Sequence, residues 1–258
     1  MNLNRFSMDW FSLKGRKAIV TGGNTGLGQA FSMALAKAGA DVFIAGMIEE
    51  TGVSREMLQA QGVNTGFLTI DITRPGACEQ VMGRCLDTLG DVDILVNNAG
   101  ICRLNPVLDF DRSDWDPMLA VNVTAAFEMS REAARHMIPK KSGKIINICS
   151  LFSYLGGRMS PAYAASKHAL AGLTRAYCDE LAEHNIQVNG IAPGYYATAI
   201  TRETRNNPVS NQRVLDHVPA GRWGDPVDLM GAAVFLASRA SDYVNGHILV
   251  VDGGYLVR

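Results

Sequence analysis

An excess of either charge is missing from this sequence. Its 24 lysines and arginines nearly balance 25 aspartates and glutamates, leaving a net charge of −1. A nucleic-acid groove or a polybasic membrane surface needs surplus cations, so neither nucleic acid nor a membrane is an expected partner. No apolar run reaches the roughly 18 residues of a membrane span. The opening stretch MNLNRFSMDWFSLKGRK has no uninterrupted apolar centre and no small-residue cleavage site, and does not read as a signal peptide. Cysteines are few: Cys78, Cys85, Cys102, Cys149 and Cys178 are scattered, odd in number and form no C-x-x-C pair. That argues against a disulfide framework or zinc site and suits reduced thiols in a cytoplasmic protein. The histidines lack ligand spacing, so no metal is expected.

What is present points to one α/β domain spanning 1–258. The 258 residues, 47% hydrophobic and 19% charged, can bury a sizeable core, and no linker, repeat or low-complexity stretch divides them. Apolar runs at 17–21, 41–45, 65–70, 93–97, 144–149, 186–191 and 247–251 read as strands. They lack alternation, as strands buried on both faces of a parallel sheet do. Helical periodicity fills the gaps, at 28–38 and at about 112–137, 162–184 and 226–238.

Two stretches carry chemistry. Thr21-Gly-Gly-Asn-Thr-Gly-Leu-Gly28 lies between the first strand and first helix. Glycines at 22, 26 and 28 allow a tight turn and close approach of backbone to a phosphate, and the helix start favours negative charge. The second stretch, Ile145 to Thr174, runs from a strand ending near Ser150 into a helix bearing Tyr163 and Lys167, four apart on one face. A phenol, with a pKa of about 10, exchanges protons poorly near neutrality, and a neighbouring ammonium is expected to lower that value. Ser150 can donate to an oxygen that gains charge.

Together with Asn97-Asn-Ala-Gly100, Asn122 and Pro193-Gly194, these motifs make the chain resemble the short-chain dehydrogenase/reductase family over essentially its whole length. The resemblance implies a doubly wound Rossmann-type domain: a seven-stranded parallel sheet of order 3-2-1-4-5-6-7, with helices on both faces. It implies a nicotinamide cofactor held by Gly22, Asn24, Thr25, Gly26, Leu27 and Gly28. Asn98, Ala99 and Gly100 would line the adenosine side, Asp71 and Ile72 would flank the adenine, and Pro193, Gly194, Tyr196 and Thr198 would meet the nicotinamide half. Tyr163 would be the general acid or base, Lys167 its pKa-lowering partner and ribose ligand, Ser150 the carbonyl-positioning group, and Asn122 the holder of a relay water.

The family pattern is broken at the end of the second strand. Gly46-Met47 offers neither the acid that supports NAD nor a cation for the 2′-phosphate of NADP; Glu49 and Glu50 follow. NAD is the expected cofactor, with NADP as the alternative. Pro219–Gly224, Leu236-Ala-Ser and Asp242–Gly246 resemble the 2-dehydro-3-deoxy-D-gluconate and gluconate 5-dehydrogenase branch. A sugar-acid or polyol substrate is therefore expected under a lid at about 195–222, with Arg103 the first candidate to pair with a carboxylate. A 3-oxoacyl thioester reductase and a nucleotide-binding regulator without catalysis are the competing readings. Gly46-Met47 and the near-neutral charge speak against the first, the intact Ser150, Tyr163 and Lys167 against the second. The apolar close of Val251–Arg258, with relatives that are usually tetramers, leads to the expectation of a homotetramer.

Overall fold

Successive side chains of a strand point to opposite faces, so a sheet covered on both sides needs apolar residues at every position. The first two strands meet that need: β1 (Lys17–Thr21) and β2 (Asp41–Gly46) send Ala18, Val20, Val42 and Ile44 into one core layer. Ile19, Phe43 and Ala45 enter the other. The computed structural model describes residues 5–258. The remaining strands are β3 (Thr65–Thr69), β4 (Ile94–Asn97), β5 (Gly143–Ile148), β6 (Ile186–Pro193) and β7 (Ile248–Val251). All pair in parallel, in the order β3-β2-β1-β4-β5-β6-β7. Fold class and strand order are as the sequence implies.

On the first face lie α1 (Gly26–Lys37), α2 (Val53–Gln59) and α9 (Met230–Ala237), which pack Phe31, Leu35, Leu58 and Leu236 against the sheet. The other carries α3 (Ala77–Leu89) and α5 (Ala125–Lys140), with Val81, Met82, Met129 and Met137 buried. Met129, Ala133 and Met137 recur every four residues, which puts them on one stripe. Each such fully buried side chain contributes roughly 1.5–3 kcal/mol of transfer free energy. The long α6 (Pro161–Leu181) covers β6 on that face. No helix among the described residues is long and apolar enough to cross a membrane.

The expected helix over 112–137 is three pieces: α4 (Arg112–Leu119), a π-helical turn at Ala120–Thr124, and α5. The segment expected at 226–238 opens with a 3-10 turn, Pro226–Leu229, before α9. Two short helices between β6 and α9, α7 (Arg202–Asn206) and α8 (Pro208–His217), have no strong periodicity in the sequence and are additions.

The sheet order reverses between β1 and β4, where a crevice opens beyond the strand ends. Thr21 joins its two sides: its Oγ1 accepts from the Asn98 and Ala99 N–H groups, each at 3.0 Å. The Asn98 amide donates back to the carbonyls of Thr21 at 2.9 Å and Gly22 at 3.2 Å. In this packing Gly28 has no room for a side chain, because a Cβ there would lie 2.1 Å from the Gly22 carbonyl oxygen.

Alanine ordinarily stabilises a helix interior by about 1 kcal/mol over glycine. Gly83→Ala in α3, where a Cβ meets nothing within 4 Å, should show that gain in urea unfolding. Gly28→Ala should reverse the sign, losing about 1–3 kcal/mol as the turn is forced away. Equal gains at both positions would refute the close contact.

Candidate active site

Helix α1 starts without a side-chain cap. Thr25 occupies the N-cap in extended conformation but makes no cap hydrogen bond, so the first N–H groups of Gly26, Leu27 and Gly28 lack a side-chain acceptor. Gly22 and Gly26, at φ of 63° and 51°, turn the chain through a left-handed conformation. Uncapped N–H groups at a helix start, behind a turn with no side chain to block it, suit a phosphate. The residues present therefore fit the pyrophosphate of a dinucleotide.

At the adenosine end, the tip of β2 carries no charge at Gly46, Met47 and Ile48. Asn24 Nδ2 donates to the Ile48 carbonyl at 2.8 Å, tying the glycine turn to the end of β2, where Met47 and Ile48 are exposed. Glu50, the nearest candidate acid with a defined partner, is used elsewhere: its Oε1 accepts from the N–H groups of Gly52 and Ser54 at the start of α2. Asp71 closes a local turn by accepting from Thr73 N and Oγ1, which holds its carboxyl below the usual range, while Ile72 is buried beside it.

Lys167 and Ser150 come together from two elements. Ser150 follows β5 and caps a 3-10 turn, Leu151–Ser153, accepting from Phe152 N at 3.2 Å. Ser153 bonds back to Ser150 N and donates to the Lys167 carbonyl at 2.8 Å, which fastens this turn to α6. Lys167 is 4% exposed; its Nζ donates to the Ile148 carbonyl at 2.7 Å and lies 5.6 Å from the centre of the Tyr163 ring. The Ser153 link escaped sequence reasoning because S-x-x-S lacks the glutamate or glutamine of a recognisable capping box.

Asn122 sits in the π-helical turn, a widened geometry common at functional sites. Its amide is fully engaged: Oδ1 accepts from Ile101 N at 2.9 Å, and Nδ2 donates to the Ile101 carbonyl and Ser166 Oγ, each at 3.0 Å. The side chain thus clamps the loop after β4 onto α6. Gly100 lies under this clamp, where a Cβ would be 3.2 Å from Asn122 Oδ1 and 3.7 Å from Lys167 Nζ.

Burial dominates the electrostatics. It pushes Tyr163 up to about 12, opposed by the Ser150 hydroxyl, and Lys167 down to about 8. The expected lowering of the tyrosine by the lysine is therefore corrected: its value is raised. Desolvation of the phenolate is the largest cause, and the Lys167 ammonium makes its short hydrogen bond to a carbonyl instead. By surface area Tyr163 is partly buried.

The nicotinamide-side residues divide. Pro193 ends β6, and Gly194 lies against the chain after β7, where its Cβ would be 2.7 Å from Asp252 Cα. Thr198 lies beyond β6; its carbonyl accepts from Arg205 Nη2 at 2.8 Å. Tyr196 faces inward: its side chain is 5% exposed, belongs to the core beside Leu229, and donates to the Val251 carbonyl at 2.9 Å. An aromatic ring next to a Gly-Tyr-Tyr segment can face either way, and here the second tyrosine faces in. Arg103 points its Nη1 at Asp114, 3.0 Å away, and at the Ser113 carbonyl.

A family model described as Enoyl-(Acyl carrier protein) reductase matches residues 22–256. The Uncharacterized oxidoreductase YgcW of Escherichia coli (strain K12) is 70% identical over 257 residues, covering 100% of this chain and 98% of that protein. The 2-dehydro-3-deoxy-D-gluconate 5-dehydrogenase of Bacillus subtilis (strain 168) is 47% identical over 250 residues, 97% of this chain and 98% of its own. The crystal structure of a gluconate 5-dehydrogenase from Burkholderia cenocepacia J2315, in complex with NADP and tartrate, has a TM-score of 0.92 at 39% identity and covers 97% of this chain and 98% of that one. With its glycine turn, reversed sheet order and Ser150–Tyr163–Lys167 grouping, this chain belongs to the short-chain dehydrogenase/reductase superfamily, close to its gluconate and 2-dehydro-3-deoxy-D-gluconate 5-dehydrogenase branch.

Proposed function

We propose that the protein is an NAD(P)-dependent oxidoreductase that interconverts a secondary hydroxyl and the matching ketone of a sugar acid. The observation that carries this reading is a buried lysine beside a tyrosine and a serine at the mouth of a dinucleotide crevice. Bound at the glycine turn, the cofactor would supply or take the hydride. In the reductive direction Ser150 Oγ donates to the carbonyl oxygen, and Tyr163, neutral at pH 7, passes its proton to the same oxygen as charge builds there. The resulting phenolate sits near the Lys167 ammonium, whose value of about 8 lets it exchange protons near neutrality. Oxidation runs the same groups in reverse and needs the phenolate first. Asn122 serves through the loop it clamps, and Arg103 holds the substrate carboxylate.

Tyr163→Phe should lower turnover at least about a hundredfold while cofactor affinity survives, since only the proton donor is lost. Arg103→Ala should raise KM for a 5-keto sugar acid about tenfold and hardly change it for an uncharged polyol or ketose. Equal losses on acid and neutral substrate would sink the carboxylate reading. In the cofactor-free protein, the tyrosinate band of wild type minus Tyr163→Phe should stay flat up to about pH 10, because burial disfavours the anion. A step near neutrality would show that the lysine wins over desolvation.

For the cofactor, the neutral rim at Gly46, Met47 and Ile48 discriminates weakly, and we infer a small preference for NAD. The Burkholderia relative, solved with NADP, is consistent with a fold that admits either. Gly46→Asp should raise the ratio of NADP to NAD dissociation constants about tenfold by repelling the 2′-phosphate. The new Cβ would crowd Gly22 Cα at 3.3 Å, a cost common to both cofactors that cancels in the ratio. An unchanged ratio in binding titrations would mean that the ribose lies elsewhere. For assembly, the exposed Val257 and the stacked Phe127–Tyr177 pair support a homotetramer, and a monomeric mass by light scattering would contradict it.

A further inference from the structure

The serine at the start of α6 does not cap its helix. Ser160 stands at the N-cap, 1% exposed, without a side-chain cap hydrogen bond. Its Oγ instead donates to the Arg103 carbonyl at 3.4 Å and lies 3.7 Å from Cys102 Sγ. One residue earlier, Met159 takes a φ of 61°, a left-handed conformation that non-glycine residues rarely adopt, and its carbonyl accepts from Asn105 N at 2.8 Å. The loop after β4 is thus stitched to the chain entering α6, three residues before Tyr163.

A second set of bonds holds the same loop from the other side. Asp114, in the first turn of α4, accepts from Arg103 Nη1 at 3.0 Å through one oxygen and from Asn105 Nδ2 through the other. The Asp114 backbone is fixed in turn, because Asp111 caps α4 by accepting from the N–H groups of Ser113 and Asp114. The Asp114 side chain is 17% exposed and that of Arg103 45%, so the carboxylate is the sheltered partner and the cation the presented one. Among the described residues, the guanidinium's hydrogen bonds all run through Nη1. Nε and Nη2 remain for a carboxylate, which a guanidinium can bind through two parallel N–H groups.

We propose that Asp114 is a positioning residue for Arg103: it holds the guanidinium in one place on the loop after β4, and so favours substrates that carry a carboxylate over uncharged ones. This rests on the reading of Arg103 as carboxylate anchor. An arginine free to swing would meet acids of many lengths and would lose its side-chain entropy on each binding. One held by Asp114 and by the Ser113 carbonyl has lost that entropy on folding and offers its free edge already oriented.

The test is steady-state kinetics at saturating cofactor on a 5-keto sugar acid and on an uncharged ketose of equal length, for Asp114→Ala, Asp114→Asn, Arg103→Ala and the Arg103→Ala/Asp114→Ala pair. Asp114→Ala should raise KM for the acid about fivefold to tenfold with kcat within about twofold, and leave the ketose unaffected. Asp114→Asn, which keeps an acceptor, should recover most of the loss. Added to Arg103→Ala, the alanine at 114 should have no further effect on the acid, since it acts only through the arginine. A loss shared by acid and ketose, or a full additional loss in the double variant, would overturn the proposal. Discrimination lost in Arg103→Ala but intact in Asp114→Ala would overturn it while leaving the anchor standing. Equal losses on both substrates in Arg103→Ala would remove the anchor and the proposal together. If Asp114→Ala melts well below wild type, Asp114→Asn and Asn105→Ala carry the comparison.

Discussion

One buried ammonium sets the terms for the active site. Lys167 is almost wholly removed from water, and its Nζ rests on the Ile148 carbonyl at 2.7 Å. A cation in that position is costly, which is why its pKa falls to about 8. An unfolded lysine would keep its proton to about 10.4, so at neutral pH the fold bears a penalty on the order of a few kcal/mol, relieved only as pH rises from 8 towards that value. Strain of this kind persists where the surroundings over-determine it. Here the surroundings are Ser153 on the lysine's own carbonyl, Asn122 on the Ile101 backbone, and the bare edge of Gly100.

The same logic of committed hydrogen bonds organises the cofactor side. Thr21 spends its hydroxyl on the two N–H groups that lead out of β4, and Asn98 returns two bonds to the glycine turn. These bonds bring the two crevice walls together without filling the space between them. The start of α1 is left open, and an uncapped helix start with positive partial charge is the complementary surface for a pyrophosphate. Glu50, by contrast, spends a carboxylate oxygen on the N–H groups at the start of α2, and Gly46, Met47 and Ile48 at the end of β2 carry no charge of either sign.

The proposed substrate end follows from how the loop after β4 is held. It carries Arg103 and is gripped from one side by Ser160 and Met159, from the other by Asp114 and Asn105. The loop is therefore tied to the start of α6. Its exposed apolar tip, Val107 and Leu108, lies beyond these ties.

Much of this protein was legible in its residues. Unalternating apolar runs imply strands buried on both faces, and Gly22, Gly26 and Gly28 mark a turn into a helix, because these are local consequences of side-chain size and solubility. Tyr163 and Lys167 share a helix face by spacing alone. Strand order came from the resemblance to a family and agrees with the structure. What spacing could not decide was the partner of each polar group. Only the packed chain turns Tyr196 inward to Val251, gives Glu50 to α2, engages both ends of the Asn122 amide and ties Arg103 to Asp114. The titration of Tyr163 is of the same kind: an adjacent lysine argues for a lower value, and burial, a property of the whole fold, raises it to about 12. Sequence determines which groups are available and which face of an element they share; tertiary structure decides which of them are desolvated and already paired, because both depend on residues far away in the chain.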